Sequence, residues 1–160
     1  MIQRVQSVYL VLVKIFAVLF LFVPIGNVIL TNEPINISIA ENNLSEISAA
    51  SLGGEWLRYF VIALAIIIMI LTLITIFVYK KRLKQIKLNQ INLILHILMI
   101  ALTFFYIDII RSHISSEGLE IGFRYGLAIL LPLISLILIL MATKAIRKDE
   151  NIVRSADRLR

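Results

Sequence analysis

Four stretches of this chain are long and apolar enough to cross hydrocarbon, and that pattern constrains the fold more than any other feature. Between Arg4 and Glu33 the only charge in 28 residues is Lys14; 21 uncharged residues separate Arg58 from Lys80, 20 separate Lys87 from Asp108 and 19 separate Arg124 from Lys144. A helix rising about 1.5 Å per residue crosses a hydrocarbon core of about 30 Å in roughly 20 residues. A spanning segment must also satisfy its own backbone hydrogen bonds, so these runs are read as helices despite their many β-branched residues. The reading is an all-α membrane protein, one domain over 1–160, with spans near 7–30, 57–79, 88–109 and 124–144. Composition agrees, since 60% hydrophobic against 16% charged residues is too apolar for a soluble domain of 160 residues. The first run exceeds the core of a secretion signal, and the nearest small-residue cluster, Ser48 to Ser51, follows a polar loop, so it is read as a span.

Placing both termini on one side gathers twelve basic residues there against Asp149, Glu150 and Asp157. The opposite side then carries Arg58, Arg111 and Arg124 against seven acidic residues. Short loops make this bias a reliable guide, so both termini and the basic linker 80–87 are expected in the cytoplasm, with loops 31–56 and 110–123 outside. The net charge of +6 is thus explained by topology rather than by nucleic acid. With no cysteine there is no disulfide, thiolate nucleophile or thiolate-held metal, and two histidines leave little for another metal centre, so neither metal nor cofactor is expected.

In the first external loop Ile35, Ile37 and Ile39 alternate with Asn36 and Ser38, a short strand that Asn42–Asn43 could turn back toward Leu44 and Ile47 as a small β-hairpin. Gly53–Gly54 then breaks the chain before Trp56 and Tyr59, aromatics suited to an interfacial belt. Asn36-Ile37-Ser38 and Asn43-Leu44-Ser45 match the glycosylation pattern, which matters only in a host that glycosylates. Linker 80–87, KKRLKQIK, can touch anionic headgroups but is explained as an orientation determinant. The tail 145–160 spaces Ile146, Ile152, Val153, Ala156 and Leu159 at helical intervals, an amphipathic cytoplasmic helix at the inner surface or on a partner. Its charged residues Asp149, Glu150, Arg154, Asp157 and Arg158 are the candidate partner contacts.

Ionisable and polar groups inside spans are functional candidates because placing them there is costly. Lys14 can snorkel to headgroups or pair within the protein. In the third span Asn89, Asn92, His96, Met99, Thr103 and Tyr106 recur at steps of three and four and so share one face, which should face protein. Thr72, Thr75 and Tyr79 have similar spacing in the second span, and a short linker makes the two helices neighbours, so interhelical hydrogen bonds are expected. A Lys14/His96 pair at one depth is conceivable, with a packed histidine as the simpler account. Asp108 lies about 18 Å along the helix from His96, too far for direct contact, and is expected to pair with Arg111 or Arg124 as an external clamp. Pro24 and Pro132 are expected to kink their helices. Gly122 and Gly126 can admit close helix contact at the outer end, while Gly118 belongs to the loop.

MIQRVQSVYLVL at the start, YKKRLKQIKLNQINLIL at 79–95, the proline within YGLAILLPLISLILILMA and IRKDENIVRSADRLR at the end resemble an uncharacterised family of small four-span inner-membrane proteins of Bacteroidetes. The resemblance covers nearly the whole chain, most specifically the last fifteen residues, and implies a bacterial cell inner membrane, four spans and no activity to transfer. The matching positions include Gln3, Arg4, Tyr9, Tyr79, Lys80, Pro132, Lys148, Asp149, Glu150, Arg154, Ser155, Asp157, Arg158, Leu159 and Arg160. The architecture is also similar to claudin-type tetraspan proteins, although their paired loop cysteines are absent and Gly54-Glu55-Trp56 stands where their Gly-Leu-Trp would be.

With no nucleotide loop, metal cluster or converged acid and base, no enzyme is expected. The favoured role is a small accessory or scaffold subunit acting through protein contacts, in contact with lipids and with a membrane protein partner or further copies of itself. The alternative is a small transporter or channel subunit using the Lys14/His96 layer and the breaks at Pro24 and Pro132. A lipid-acting enzyme built on Asp108, Arg111 and Arg124 comes third.

Overall fold

A computed structural model describes residues 3–30, 33–41, 55–79, 81–116 and 122–158. Four helices, α1 (Gln3–Phe22), α2 (Glu55–Phe77), α3 (Arg82–Ser116) and α4 (Leu130–Arg158), are joined by three short strands, β1 (Gly26–Leu30), β2 (Glu33–Ile37) and β3 (Gly122–Tyr125), and a 3-10 turn at Leu127–Ile129. All four helices are long and apolar enough to cross a membrane. They pack in a ring in which α1 and α3 each touch both α2 and α4.

Helix α3 is built inside out relative to one in a water-soluble protein. On α3 the buried face carries Gln85, Asn89, Asn92, His96 and Thr103, while Ile91, Ile94, Ile97, Leu98, Phe104 and Phe105 are exposed. The other helices expose comparable strips, among them Val8, Val11 and Ile15 on α1 and Ile66, Ile67 and Ile70 on α2. A continuous apolar exterior of this extent suits a hydrocarbon solvent.

The expected first span, 7–30, is corrected: α1 ends at Phe22 and the chain enters β1 at Gly26. Proline disfavours the α conformation in the residue before it and cannot supply an N–H, so Pro24 terminates the helix rather than kinking it. The β-branched residues that follow become a strand. β1 is the middle strand of an antiparallel sheet of order β2-β1-β3, with Val28 opposite both Ile35 and Phe123. The strand expected around Ile35 and Ile37 is therefore present, but its partner is β1 on its N-terminal side. The turn at Asn42–Asn43, Leu44, Ile47, Gly53–Gly54, the second glycosylation pattern and Gly118 lie outside the described residues.

The sheet caps one end of the ring and its inner face closes the apolar core. Phe20, Ile25, Val28, Ile37, Leu57, Val61, Ile107, Ile110 and Ala128 are buried together there. The chain crossings are stitched by backbone bonds from Ile25 N–H to the Ile37 carbonyl (2.7 Å), from Ala40 N–H to Leu21 (2.8 Å) and from Gly126 N–H to Ile25 (2.8 Å).

At the other end two boundaries move outward. α3 begins at Arg82, so most of the expected linker 80–87 is its first turns, and α4 runs through the tail without interruption. Lys, Arg, Gln and Leu are good helix formers and no Gly or Pro follows Pro132, so nothing stops either helix at the membrane surface. The amphipathic tail is thus helical as expected, but as an extension of the fourth span. Pro132 lies in the first turn of α4, directly after the 3-10 turn. An N–H has no intrahelical partner there, so the missing donor costs nothing and the expected kink is replaced by a helix start.

Candidate functional site

The polar stripe of α3 lies wholly inside this chain, with Asn89, Asn92 and His96 at 0% exposure. Thr72 and Thr75 on α2 are equally buried, as expected from their spacing, whereas Tyr79, expected beside them, lies past the end of α2 and is exposed. Asn92 Nδ2 donates to Thr72 Oγ1 at 2.8 Å and Asn89 Nδ2 donates to Thr143 Oγ1 of α4 at 3.2 Å. Gln85 Nε2 donates to the Thr75 carbonyl at 3.2 Å. α3 is thereby tied to both neighbours by side-chain hydrogen bonds.

The hydroxyl partners fix which way each amide faces. Thr72 gives its proton to the Ile68 carbonyl at 2.7 Å and Thr143 gives its own to Ile139 at 2.8 Å. Each hydroxyl can then only accept, so each asparagine presents its NH2 group and turns its carbonyl oxygen away. Asn89 Oδ1 and Asn92 Oδ1 are accordingly buried without a partner among the described residues. His96 follows the same logic, because its Nδ1 lies 2.8 Å from the Asn92 backbone carbonyl and must carry the proton. That leaves Nε2, also buried and unpartnered, as an acceptor in the neutral ring. Three acceptors without a donor therefore follow one another along the face of α3, and Gln6 Nε2 on α1 is a further unpartnered buried atom.

A double-mutant cycle on Asn92→Leu and Thr72→Val should return a coupling of about 1 kcal/mol, the scale of interhelical hydrogen bonds in membranes. Detergent-solubilised melting of the four proteins measures it.

The remaining sequence candidates do not join this group. Lys14 is half-buried on α1 and makes no hydrogen bond or ion pair among the described residues, and His96 Nδ1 is engaged with its own helix, so no Lys14–His96 bond is present. The expected clamp of Asp108 with Arg111 or Arg124 is not formed: both Asp108 and Arg124 are exposed, and Arg111 donates instead to the Tyr125 hydroxyl at 3.3 Å. β3 places that hydroxyl within the arginine's reach, whereas Asp108 is one turn back on an open face. Arg58, which charge counting assigns to the external surface, is only 6% exposed and stacks over the Tyr59 ring at 4.9 Å. Among the described residues no cluster of His, Asp and Glu could hold a metal ion.

The basic end holds an interaction that sequence spacing does not reveal. Arg82, at the start of α3, reaches Asp149 at 3.1 Å and Glu150 at 3.9 Å on α4. It also donates to the Asp149 backbone carbonyl at 3.5 Å. Two of the expected partner-contact residues, Asp149 and Glu150, are thus engaged within the chain; the side chains of Arg154, Asp157 and Arg158 lie outside the described residues. Because both partners are part-exposed, Arg82→Gln should cost less than about 1 kcal/mol, with the loss shrinking as salt is raised. Melting in low and high salt checks this. Beyond the clamp, Lys144, Arg147, Lys148, Asn151, Ile152 and Ser155 form an open groove on the outer side of α4.

Neither the curated proteins nor the solved structures contain a match to this chain. The model of one family does match, over residues 2–159 and hence over the ring of helices, the sheet and the α4 extension together: the chain belongs to the family described as a domain of unknown function, DUF4293.

Proposed function

We propose that this chain is a multi-pass protein of a bacterial cell inner membrane, with both termini cytoplasmic, and that it serves as a small accessory or scaffold subunit. The observation that carries this reading is the course of α4. Its apolar run ends near Lys144, yet the helix continues unbroken to Arg158 and is braced at Asp149 and Glu150 by Arg82. Membrane insertion needs no such extension. It presents Lys144, Arg147 and Lys148 beside exposed Ile152, a mixed basic and apolar face suited to a partner surface carrying acidic and apolar groups. The test is photo-crosslinking from positions 151 and 155 in intact cells, followed by mild-detergent purification and mass spectrometry. A stoichiometric partner lost on Ile152→Glu, with the clamp intact, is the expected result; recovery of the same proteins from the variant overturns the assignment.

The unpartnered acceptors at Asn89, Asn92 and His96 favour a second reading, a small transporter or channel subunit, because the interhelical hydrogen bonds of the two asparagines leave these atoms unused and buried acceptors at this depth are costly. Proteoliposome flux that is abolished by His96→Phe would select it over the accessory role.

A further inference from the structure

The basic end gathers cations that have no ion-pair partner among the described residues. Arg82 is answered by Asp149 and Glu150, whereas Lys81 and Lys84, both exposed, form no ion pair among the described residues. The two lysines line a notch of about 680 Å³ between the start of α3 and the outer turn of α4. Among the described residues its charged lining is three cations, Lys81, Arg82 and Lys84, against one carboxylate, Glu150, which Arg82 already faces. The notch is also flanked by apolar surface, with Tyr79, Leu83 and Val153 each between 40% and 54% exposed.

Its depth is set by the neighbouring span. α2 ends at Phe77, so Tyr79 and Lys81 come within a few residues of the end of the hydrocarbon-crossing helix. That is the headgroup layer, where aromatic and basic side chains meet lipid phosphates. A free phosphate ion would use the lysines and leave Leu83 and Val153 against water. A phospholipid uses both, its phosphate between the ammonium groups and its glycerol and first acyl carbons along the apolar flank.

We infer that the notch between Lys81, Lys84 and Val153 is a binding site for one anionic phospholipid, held by its phosphate. This rests on the membrane-spanning reading above but not on the accessory role. The α4 groove provides a control, since Lys144, Arg147 and Lys148 supply more charge from one helix, without an opposing wall.

The full chain is reconstituted in nanodiscs of equal phosphatidylglycerol and phosphatidylcholine, released into mild detergent and weighed by native mass spectrometry. Phosphatidylglycerol should be retained over phosphatidylcholine. Retention should fall about tenfold in Lys81→Gln/Lys84→Gln, and less than about twofold in Lys144→Gln/Arg147→Gln/Lys148→Gln, although the latter removes more charge. Loss that scales with the number of charges removed overturns the site, as does the absence of lipid preference in the unaltered protein. Excess inorganic phosphate should leave the lipid adduct in place; displacement by phosphate overturns the assignment to a lipid. Alkaline carbonate extraction of the native membranes is run beside it, and release of the chain there would overturn the membrane reading itself rather than the site alone.

Discussion

Gly126→Val should abolish the folded protein, seen as loss of the monodisperse peak and of cooperative melting in detergent. A β-carbon at Gly126 would overlap the Pro24 carbonyl oxygen and come within 2.9 Å of the Ile25 carbonyl carbon. Both are backbone atoms, so relief requires moving the chain rather than turning a side chain. The same approach carries the hydrogen bond from Gly126 N–H to the Ile25 carbonyl, which would be lost with it. Overpacking of a close-packed site costs about 1–3 kcal/mol even when side chains can yield. Here the cost should exceed that range, and Gly126→Ala should already lower melting clearly. Gly26→Ala is the control: the nearest atom there is the far end of the Phe123 side chain and the nearest backbone atom, the Arg124 carbonyl oxygen, is 3.1 Å away, so its loss should be smaller. Equal melting of Gly126→Val and the parent would show that the α1–β1 corner does not pack against the Gly126 backbone in this way.

Asn92→Asp should be the next most damaging change and Asn92→Leu a mild one, although the aspartate is closer in shape. Aspartate exchanges the NH2 donor facing Thr72 for a second oxygen and places a charge at a site with no exposed surface. Among the described residues no cation is paired with that position. A carboxylate at the centre of a membrane helix costs roughly 2.5–3.5 kcal/mol on insertion scales. Leucine loses the bond to Thr72 but also removes the unpartnered Oδ1, and the two effects offset in part. Melting of the purified variants, with the membrane-inserted fraction measured by carbonate extraction, gives the comparison. A leucine variant less stable than the aspartate would mean that the Asn92 carbonyl is held by something the chain itself does not provide.

The sequence already shows where the helices are, because crossing hydrocarbon demands long uncharged runs and little else produces them. It is less informative about where they stop. Pro24 reads equally as a kink or an end, and only the pairing of Gly26–Leu30 with strands on both sides decides between them. The four residues of β3 carry no periodicity to detect, and they find their place through a partner almost a hundred residues away. The α4 extension did leave a trace, the absence of any helix breaker after Pro132. The candidate site divides in the same way. Steps of three and four along α3 group Asn89, Asn92 and His96 on one face. That Thr72 answers one asparagine and Thr143 the other depends on the order of helices around the ring, which spacing within a helix does not encode. The Arg82–Asp149 pair joins residues 67 apart and has no local signature at all.

The uninterrupted course of α4 has a mechanical corollary. Its 29 residues form a rod of about 43 Å, joined at one end through the 3-10 turn Leu127–Ile129 to Gly126, which packs on the α1–β1 corner, and carrying Ile152 and Ser155 toward the other. A proline or glycine at the membrane surface would have made a hinge there, and the chain has none. A tilt imposed where the sheet meets the rod must therefore reappear, through the same angle, at the tip on the opposite end of the ring. The Arg82 clamp is the brake on that lever.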